Sequence, residues 1–115
     1  MEEGKELLEN IKQFKKSAEI IYKTSDFTSS TILYFKCLFS ILDLIILKKA
    51  GAIPKDHTER FRIIEKLNFS LYTILDKLYS TYRNAYTARI DKNKCDKVKE
   101  NVERIIEEQR IFENN

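Results

Sequence analysis

The residues from Ile32 to Leu47 form an almost unbroken apolar run, in which only Lys36, Ser40 and Asp43 are polar. The run is shorter than the roughly 20 apolar residues that a membrane-spanning helix needs. A helix that is apolar on nearly every side must be covered by protein on most of its faces. We therefore predict that this segment is the central helix of a bundle and that it contributes to a subunit interface.

Four other segments show the three- and four-residue apolar spacing of amphipathic helices. They are residues 4–23, a short helix after Asp56, a fourth helix whose stripe runs from Leu71 to Tyr86, and a last helix after a turn at Asp91–Asn93. The side chains that this spacing places in the core are Leu7, Leu8, Ile11, Phe14, Ala18, Ile21, Tyr22, Phe61, Ile64, Leu67, Leu71, Ile74, Leu75, Leu78, Tyr79, Tyr82, Ala85, Tyr86, Cys95, Val98, Val102, Ile105, Ile106 and Phe112.

Helix-breaking and capping residues separate these segments. Gly51 can end the central helix in a left-handed conformation, and Asp56 with Glu59 has the spacing of a capping box. Asn68 or Ser70 can cap the fourth helix. Only two glycines and one proline occur in 115 residues, which leaves little turn chemistry for a sheet. The sequence therefore predicts one all-α domain over residues 1–115, an up-and-down bundle of four long helices and one short helix.

The net charge of +3 is concentrated between residues 48 and 66. This segment contains six basic residues and three acidic residues. The basic residues are Lys48, Lys49, Lys55, Arg60, Arg62 and Lys66, and the acidic residues are Asp56, Glu59 and Glu65. Such a patch suits contact with phosphate, but stronger patches are usual in proteins that bind nucleic acid, and a solvated face is the simpler interpretation. Because four of the first nine residues are glutamate, we predict no signal peptide and no membrane association, and a cytoplasmic location.

Arg83 is the first candidate for a functional role. It lies four residues after Tyr79 and three before Tyr86, so its guanidinium can turn from the apolar stripe toward a groove and clamp a phosphate. The alternative is a structural arginine paired with Asp43, Asp76 or another acid. Lys36 and Asp43, seven residues apart on one face, mark either a solvent-exposed edge or a paired polar cluster.

His57 is the only histidine, and hence the only side chain with an unperturbed pKa of about 6.5. Its position at the start of a helix is also consistent with an incidental surface role. Most of the six tyrosines lie on the apolar stripes, so we expect at least four of them to pack in the core. Tyr82 and Tyr86 flank Arg83 and are the two for which stacking on a base is the alternative. Cys37 and Cys95 lack metal-ligand spacing, so we predict neither a metal nor another cofactor.

The order of these segments resembles small prokaryotic HEPN-domain proteins. The likeness is carried by Ile32–Lys49, by Ile53–Phe61 with its Pro54-Lys55 and His57, and by Tyr79–Arg89 with its Arg83-Asn84. It covers about residues 5–110. The resemblance implies a bundle that is usually a homodimer, and in many members a toxin–antitoxin partnership with a minimal nucleotidyltransferase.

Active HEPN proteins are metal-independent endoribonucleases in which an arginine, a polar residue and a histidine of each subunit meet across a cleft. By resemblance, Arg83 matches the arginine and Asn84 the polar residue. The histidine would fall at position 88, 89 or 90, where this chain has Ala88, Arg89 and Ile90.

Three functions follow as hypotheses. The leading one is a relative of the HEPN ribonucleases without the standard chemistry, which binds RNA, a nucleotide or a partner protein. The second is an active ribonuclease in which Arg83 and Asn84 work with Tyr86, Arg89 or His57. The third is a structural dimeric module in which Arg83 is buried in a salt bridge.

Overall fold

The computed structural model describes residues 2–113, which form five α-helices and contain no strand. The helices are α1 (Glu2–Tyr22), α2 (Phe27–Ala50), α3 (His57–Leu67), α4 (Phe69–Asn84) and α5 (Lys92–Glu108). The prediction of an all-α bundle with four long helices and one short helix is confirmed. The two ends of the predicted domain lie outside the described residues.

The central helix α2 packs against α1 along most of its length, against α5 on a second side, and against the α3–α4 hairpin on a third. Fifteen of its residues are buried, including Phe35, Leu38 and Leu42. The helix is long and apolar enough to cross a membrane, but 83% of its most apolar window is buried inside the bundle. Burial of this extent is that of the core helix of a soluble protein. Its apolar residues are already covered by its own chain, so the premise for predicting a subunit interface on α2 does not hold.

The residues that cap the helices are largely those predicted from the sequence. Gly51 has φ 80° and its N–H donates to the carbonyl of Leu47, which is the predicted left-handed cap. Asp56 accepts from the Glu59 N–H at 2.9 Å, while the Glu59 carboxylate accepts from Lys55 N–H at 3.1 Å. The capping box therefore reaches one residue further back than its usual form.

Asn68 connects α3 and α4 without any intervening loop. Its N–H donates to the carbonyl of Ile64 at 2.8 Å, and its side chain accepts from the Leu71 N–H at 3.1 Å. One residue thus ends the first helix and caps the second, and Ser70 is not the cap.

Four predictions at the helix ends are wrong, namely the position of the last turn and the burial of Tyr86, Phe112 and Leu67. Helix α4 stops at Asn84 and α5 begins at Lys92, so the turn is residues 85–91 and not Asp91–Asn93. Tyr86, which follows the end of α4, is 60% exposed. Helical spacing no longer determines the direction of a side chain once the helix has ended.

The same reason applies beyond α5. Arg110 has φ 52°, which turns the backbone out of the helix, and Ile111 is buried in place of Phe112, which is 40% exposed. Leu67, the last residue of α3, is 37% exposed rather than facing the core.

Candidate functional site

The first turn of α3 presents His57 toward α2 and α4. The Asp56 carboxylate accepts a hydrogen bond from the Glu59 N–H, and the Glu59 carboxylate accepts one from the Lys55 N–H. These local hydrogen bonds fix the position of His57 on the first turn of the helix. Arg60 follows one turn later on the same face of α3. The two side chains therefore reach the same part of the bundle.

A chain of hydrogen bonds runs from Asp43 on α2 through Arg60 to His57. Arg60 Nε donates to Asp43 Oδ1 at 2.7 Å, and Arg60 Nη2 donates to Asp43 Oδ2 at 3.1 Å. This is the bidentate arginine–carboxylate geometry. Arg60 Nη1 lies 2.6 Å from His57 Nδ1. Both members of the ion pair are largely buried, with side-chain exposures of 10% for Arg60 and 12% for Asp43.

This chain determines the protonation state of His57. A guanidinium can only donate, so Nδ1 must accept, and the ring proton of a neutral imidazole then lies on Nε2. Burial lowers the pKa of His57, and the positive charge of Arg60 lowers it further against the opposing effects of Asp43 and Asp56. Near neutral pH the imidazole is therefore uncharged and offers an N–H donor at Nε2.

Three aromatic rings surround the imidazole. Phe39 on α2 lies 4.6 Å from it between ring centroids, and Tyr82 and Tyr79 on α4 lie at 5.6 and 5.8 Å. The guanidinium of Arg60 also lies over the Phe39 ring, at 4.9 Å. We call His57, Phe39, Tyr79, Tyr82 and Tyr86 the aromatic cluster.

Tyr86 is the solvent-facing member of the aromatic cluster. Its hydroxyl lies 3.0 Å from that of Tyr82, and the two rings meet edge to face at 5.3 Å and 88°. Burial, with the hydrogen bond to Tyr86 as the next cause, raises the pKa of Tyr82 to about 12. Tyr82 is therefore a neutral hydroxyl that holds an exposed ring in place.

Arg83 and Asn84 form the last turn of α4, and both are exposed. Among residues 2–113 no ion pair involves Arg83. The alternative in which Arg83 is buried in a salt bridge is wrong, because Asp43 is already paired with Arg60. By helical spacing Arg83 lies beside Tyr79, one turn earlier on α4. The structure thus brings His57, Tyr79 and Tyr82 together, joins Tyr86 to them through Tyr82, and places Arg83 on the adjacent last turn of α4.

Arg89 does not belong to this surface. It lies near Asp26, where it contributes to a lowered pKa whose main cause is the hydrogen bond from Ser29. The next residue, Ile90, donates its N–H to Thr28 Oγ1 at 2.8 Å, which ties the turn to the first turn of α2. Thr28 lies about 16 Å along the axis of α2 from Phe39, which is the α2 residue in contact with His57. The predicted binding role of Arg89 beside His57 is therefore not supported.

Four members of the site were not predicted from the sequence: Asp43, Arg60, Phe39 and Tyr79. A signal for the first two was present, since a carboxylate in an otherwise apolar helix must find a partner and Arg60 is one turn from the only histidine. Lys36, which shares a face with Asp43, is exposed instead. Arg60, counted in the basic patch, is buried and does not contribute to it.

A shallow cavity of about 280 Å³ opens beside the aromatic cluster. It is lined by His57, Thr58, Phe61 and Tyr79. A cavity of this size accommodates one small group, such as a single base or phosphate, rather than a whole cofactor.

Within the described part of the chain no group of three or more His, Cys, Asp or Glu side chains could hold a metal ion. Cys37 and Cys95 are buried free thiols, and burial raises the pKa of Cys37 to about 12. Cys37 is therefore an uncharged thiol near neutral pH, as expected of a buried core cysteine.

No family model, no curated protein and no solved structure matches this chain. The resemblance to HEPN-domain proteins therefore depends on the residues quoted for it, and function must be argued from the site itself.

Proposed function

We propose that this protein is a HEPN-like helical module that binds RNA or a nucleotide at the surface of His57, Tyr82, Arg83 and Tyr86. The observation that carries the proposal is the hydrogen-bond chain from Asp43 through Arg60 to His57. It fixes a neutral imidazole with an N–H donor at Nε2 beside Tyr82, whose hydroxyl holds the exposed Tyr86 ring. The imidazole also lies beside Tyr79, which helical spacing places one turn before the exposed Arg83.

Each member of this surface suits one part of a nucleotide. The Tyr86 ring is 60% exposed and held by Tyr82, so it can stack on a base with little loss of side-chain entropy. Arg83, which forms no ion pair with a carboxylate among residues 2–113, can bind a phosphate with two hydrogen bonds. The Nε2–H of His57 can donate to a phosphate or to the edge of a base.

The same geometry favours binding over cleavage. A general base needs a free lone pair, but Nδ1 of His57 is occupied by Arg60 and Nε2 carries the proton. Tyr82, with its pKa near 12, is also a poor base at neutral pH. A ribonuclease mechanism at this site would require the hydrogen bond between His57 and Arg60 to break first. The buried Arg60 guanidinium would then lose one of its hydrogen-bond acceptors.

Fluorescence anisotropy with a dye-labelled single-stranded RNA tests the proposal. We expect Tyr86→Ala to weaken binding by about 1–3 kcal/mol, the usual contribution of one stacked base. Arg83→Ala should weaken binding by about tenfold and reduce the salt dependence by the equivalent of about one phosphate contact. Arg83→Lys should recover only part of this loss, because an ammonium cannot form the two-pronged contact.

Arg104→Ala and Arg89→Ala are the matched controls. Each removes one positive charge, from α5 and from the turn before it, at positions away from the aromatic cluster. Equal losses in all the arginine variants would mean that binding is a general charge effect, and absence of binding by the wild type would contradict the proposal.

Cleavage is tested separately by incubating the protein with total cellular RNA in EDTA, wild type beside Arg83→Ala. We expect intact RNA in both samples. Cleavage by the wild type alone would establish the ribonuclease hypothesis and direct attention to His57 and Tyr86 as proton-transfer groups.

The homodimer and the minimal nucleotidyltransferase partner stay predictions, as does the cytoplasmic location predicted from the first nine residues. Co-expression with a nucleotidyltransferase encoded beside this chain, followed by co-purification, tests the partner prediction.

A further inference from the structure

The imidazole of His57 is enclosed on the side that faces the bundle and open on the side that faces the shallow cavity. Within the described residues, α3 packs only against α2 and α4, so the groups around the ring come from these three helices and the cap of α3. They are Arg60 and Asp56 from α3 and its cap, Asp43 and Phe39 from α2, and Tyr79 and Tyr82 from α4. Among these groups, Arg60 alone is positively charged.

Protonation of His57 places two cationic donors against each other. In the neutral ring, Nδ1 accepts from Arg60 Nη1 at 2.6 Å. An imidazolium carries a hydrogen on Nδ1 as well as on Nε2, so it has no lone pair left for the guanidinium. At this separation, both side chains cannot keep their positions once the ring is charged.

Arg60 is the member of this contact that stays in place. It forms the bidentate ion pair with Asp43, and both side chains are largely buried. Its withdrawal would leave the Asp43 carboxylate buried and unpaired. His57 is held less firmly, because its side chain is only half-buried and lines the open cavity beside Thr58 and Phe61. The imidazolium therefore turns outward, where water can solvate its charge.

The position that His57 leaves is part of the proposed binding surface. The neutral ring offers its Nε2–H beside Tyr82 and packs against Phe39. When the ring turns outward, the ligand loses this positioned donor. A solvated imidazolium attracts phosphate only weakly, because water and salt screen an exposed charge. The loss of a preorganised contact therefore outweighs the added positive charge.

We propose that the chain Asp43–Arg60–His57 is a pH-dependent switch, in which uptake of one proton by His57 releases the ring from Arg60 and weakens the binding of RNA or a nucleotide. This inference rests on the function proposed above. His57 is the only histidine in the chain, so the switch belongs to a single side chain. Burial and the charge of Arg60 lower the pKa of His57. The ring is therefore held near neutral pH and released at acidic pH, below about 6.5.

Fluorescence anisotropy with a short dye-labelled single-stranded RNA, between about pH 8 and 5.5 at constant ionic strength, measures the effect on binding. We expect the dissociation constant of the wild type to rise by about tenfold as the pH falls, the loss of roughly one hydrogen bond. His57→Asn is the comparison, because its side-chain oxygen can accept from Arg60 but does not titrate. The dissociation constant of this variant should be independent of pH in the same range.

The double variant Asp43→Leu with Arg60→Met should give a pH dependence of the opposite sign. It replaces the buried ion pair by apolar side chains, so no guanidinium opposes the protonation of His57. The imidazolium then keeps its place and donates to phosphate from Nε2, and hydrogen bonds from a charged donor are the stronger ones. RNA binding should therefore tighten as the pH falls. A wild type that tightens in the same way would overturn the proposal, provided that circular dichroism shows both proteins folded.

Nuclear Overhauser contacts of the His57 ring measure its release without RNA. Cross-peaks to Phe39 and Tyr82 are expected at about pH 8, and they should disappear as the ring takes up its proton. Cross-peaks that persist in the protonated protein would overturn the release, and unchanged RNA binding after their loss would overturn its effect on binding. A wild type that binds no RNA at any pH would contradict the proposed function, while the cross-peaks would still decide whether protonation releases His57.

Discussion

Asp43 and Arg60 are the two residues whose interaction connects the core to the candidate site. An ion pair this deeply buried costs desolvation energy on both sides, and removing one partner leaves the other charge without compensation. We expect Asp43→Leu to lower the free energy of unfolding by about 3–5 kcal/mol in urea denaturation followed by circular dichroism.

The double variant Asp43→Leu with Arg60→Met is the informative comparison. An apolar pair of similar volume avoids the buried charge, so the double variant should be more stable than Asp43→Leu alone. Lys92→Ala, which removes an exposed pair with Asp96, should change stability by no more than about 1 kcal/mol. A double variant that is less stable than the single would show that the ion pair contributes net stability.

His57 makes the free energy of unfolding depend on pH near the ordinary histidine pKa of about 6.5, where no other side chain has its ordinary pKa. Because the pKa of His57 is lowered in the folded protein, the unfolded chain takes up the proton first as the pH falls. Stability should therefore decrease on going from about pH 7.5 through 6.5 toward the lowered folded-state pKa, and level off below it. At higher pH the imidazole is neutral in both states and contributes no slope.

Urea denaturation between about pH 5.5 and 8 measures this slope, which cannot exceed about 1.4 kcal/mol per pH unit for one proton. In His57→Gln the slope should vanish in that range. The ring nitrogen shifts of His57 in NMR spectra report the tautomer directly, and a proton found on Nδ1 would contradict the assignment made from Arg60.

Tyr34 illustrates a different kind of buried polar group. Its hydroxyl is buried in the core and has no hydrogen-bond partner among residues 2–113. Tyr34→Phe removes this unsatisfied group, so we expect it to raise the free energy of unfolding by about 1 kcal/mol or leave it unchanged. Tyr22→Phe is the control, because it loses a hydrogen bond to Asp96 and should be destabilising. A loss on Tyr34→Phe as large as the loss on Tyr22→Phe would indicate a water molecule bound to the Tyr34 hydroxyl.

At the scale of helices, the features best predicted from the sequence are the helix caps, because each cap depends on hydrogen bonds between residues that are close in the sequence. The cap at Gly51 and the capping box at Asp56 were predictable because a glycine or a carboxylate acts on N–H and C=O groups within a few residues. The ends of α4 and α5 were not predictable in this way. Apolar residues continue past both helices, as Tyr86 and Phe112, and spacing alone cannot show where the helix has stopped.

The two glycines give opposite predictions for the same substitution. Gly51 has φ 80°, so Gly51→Ala should cost about 1 kcal/mol or more, although nothing lies within 4 Å of the added Cβ. Gly4 is inside α1, where a Cβ would make ordinary contacts with Leu44 and Leu47. Gly4→Ala should therefore stabilise the protein by up to about 1 kcal/mol, because alanine is the better helix former. Thermal unfolding of both variants at low concentration measures the difference, and equal effects would contradict the backbone argument.

At the scale of the whole molecule, the bundle consists of a large and a small packed unit. Helix α2 buries fifteen residues, mostly against α1 and α5, whereas α3 buries Arg60 and Ile64 and α4 buries three leucines. Local opening follows the density of buried apolar contacts. The amides of α3 and α4 should therefore exchange with solvent at lower denaturant than those of α2.

Native-state hydrogen exchange measures this difference. Asp43→Leu should widen it, because the variant removes the ion pair that holds α3 to α2. Simultaneous loss of protection in all five helices would show that the chain unfolds as a single unit.

The composition of the candidate site also depends on long-range packing. Local sequence patterns identify Arg83, Tyr86 and His57 as candidates, but a histidine at the start of one helix and tyrosines late on the next become neighbours only when the hairpin closes. Asp43 joins them from a third helix, seventeen residues before Arg60. Such contacts have no periodic signal in a single sequence, which is why only half of the candidate site was predicted.

The single-residue connection at Asn68 has a consequence for how this site tolerates changes in chain length. His57 precedes Asn68 by 11 residues (68 − 57) and Tyr79 follows it by 11 (79 − 68), so the two arms of the hairpin are equally long and their ends meet. One residue inserted into either arm would rotate everything beyond it by about 100°. Even an insertion at a solvent-facing position would then separate the imidazole from the tyrosines, while the same insertion in the turn of residues 85–91 would leave them together.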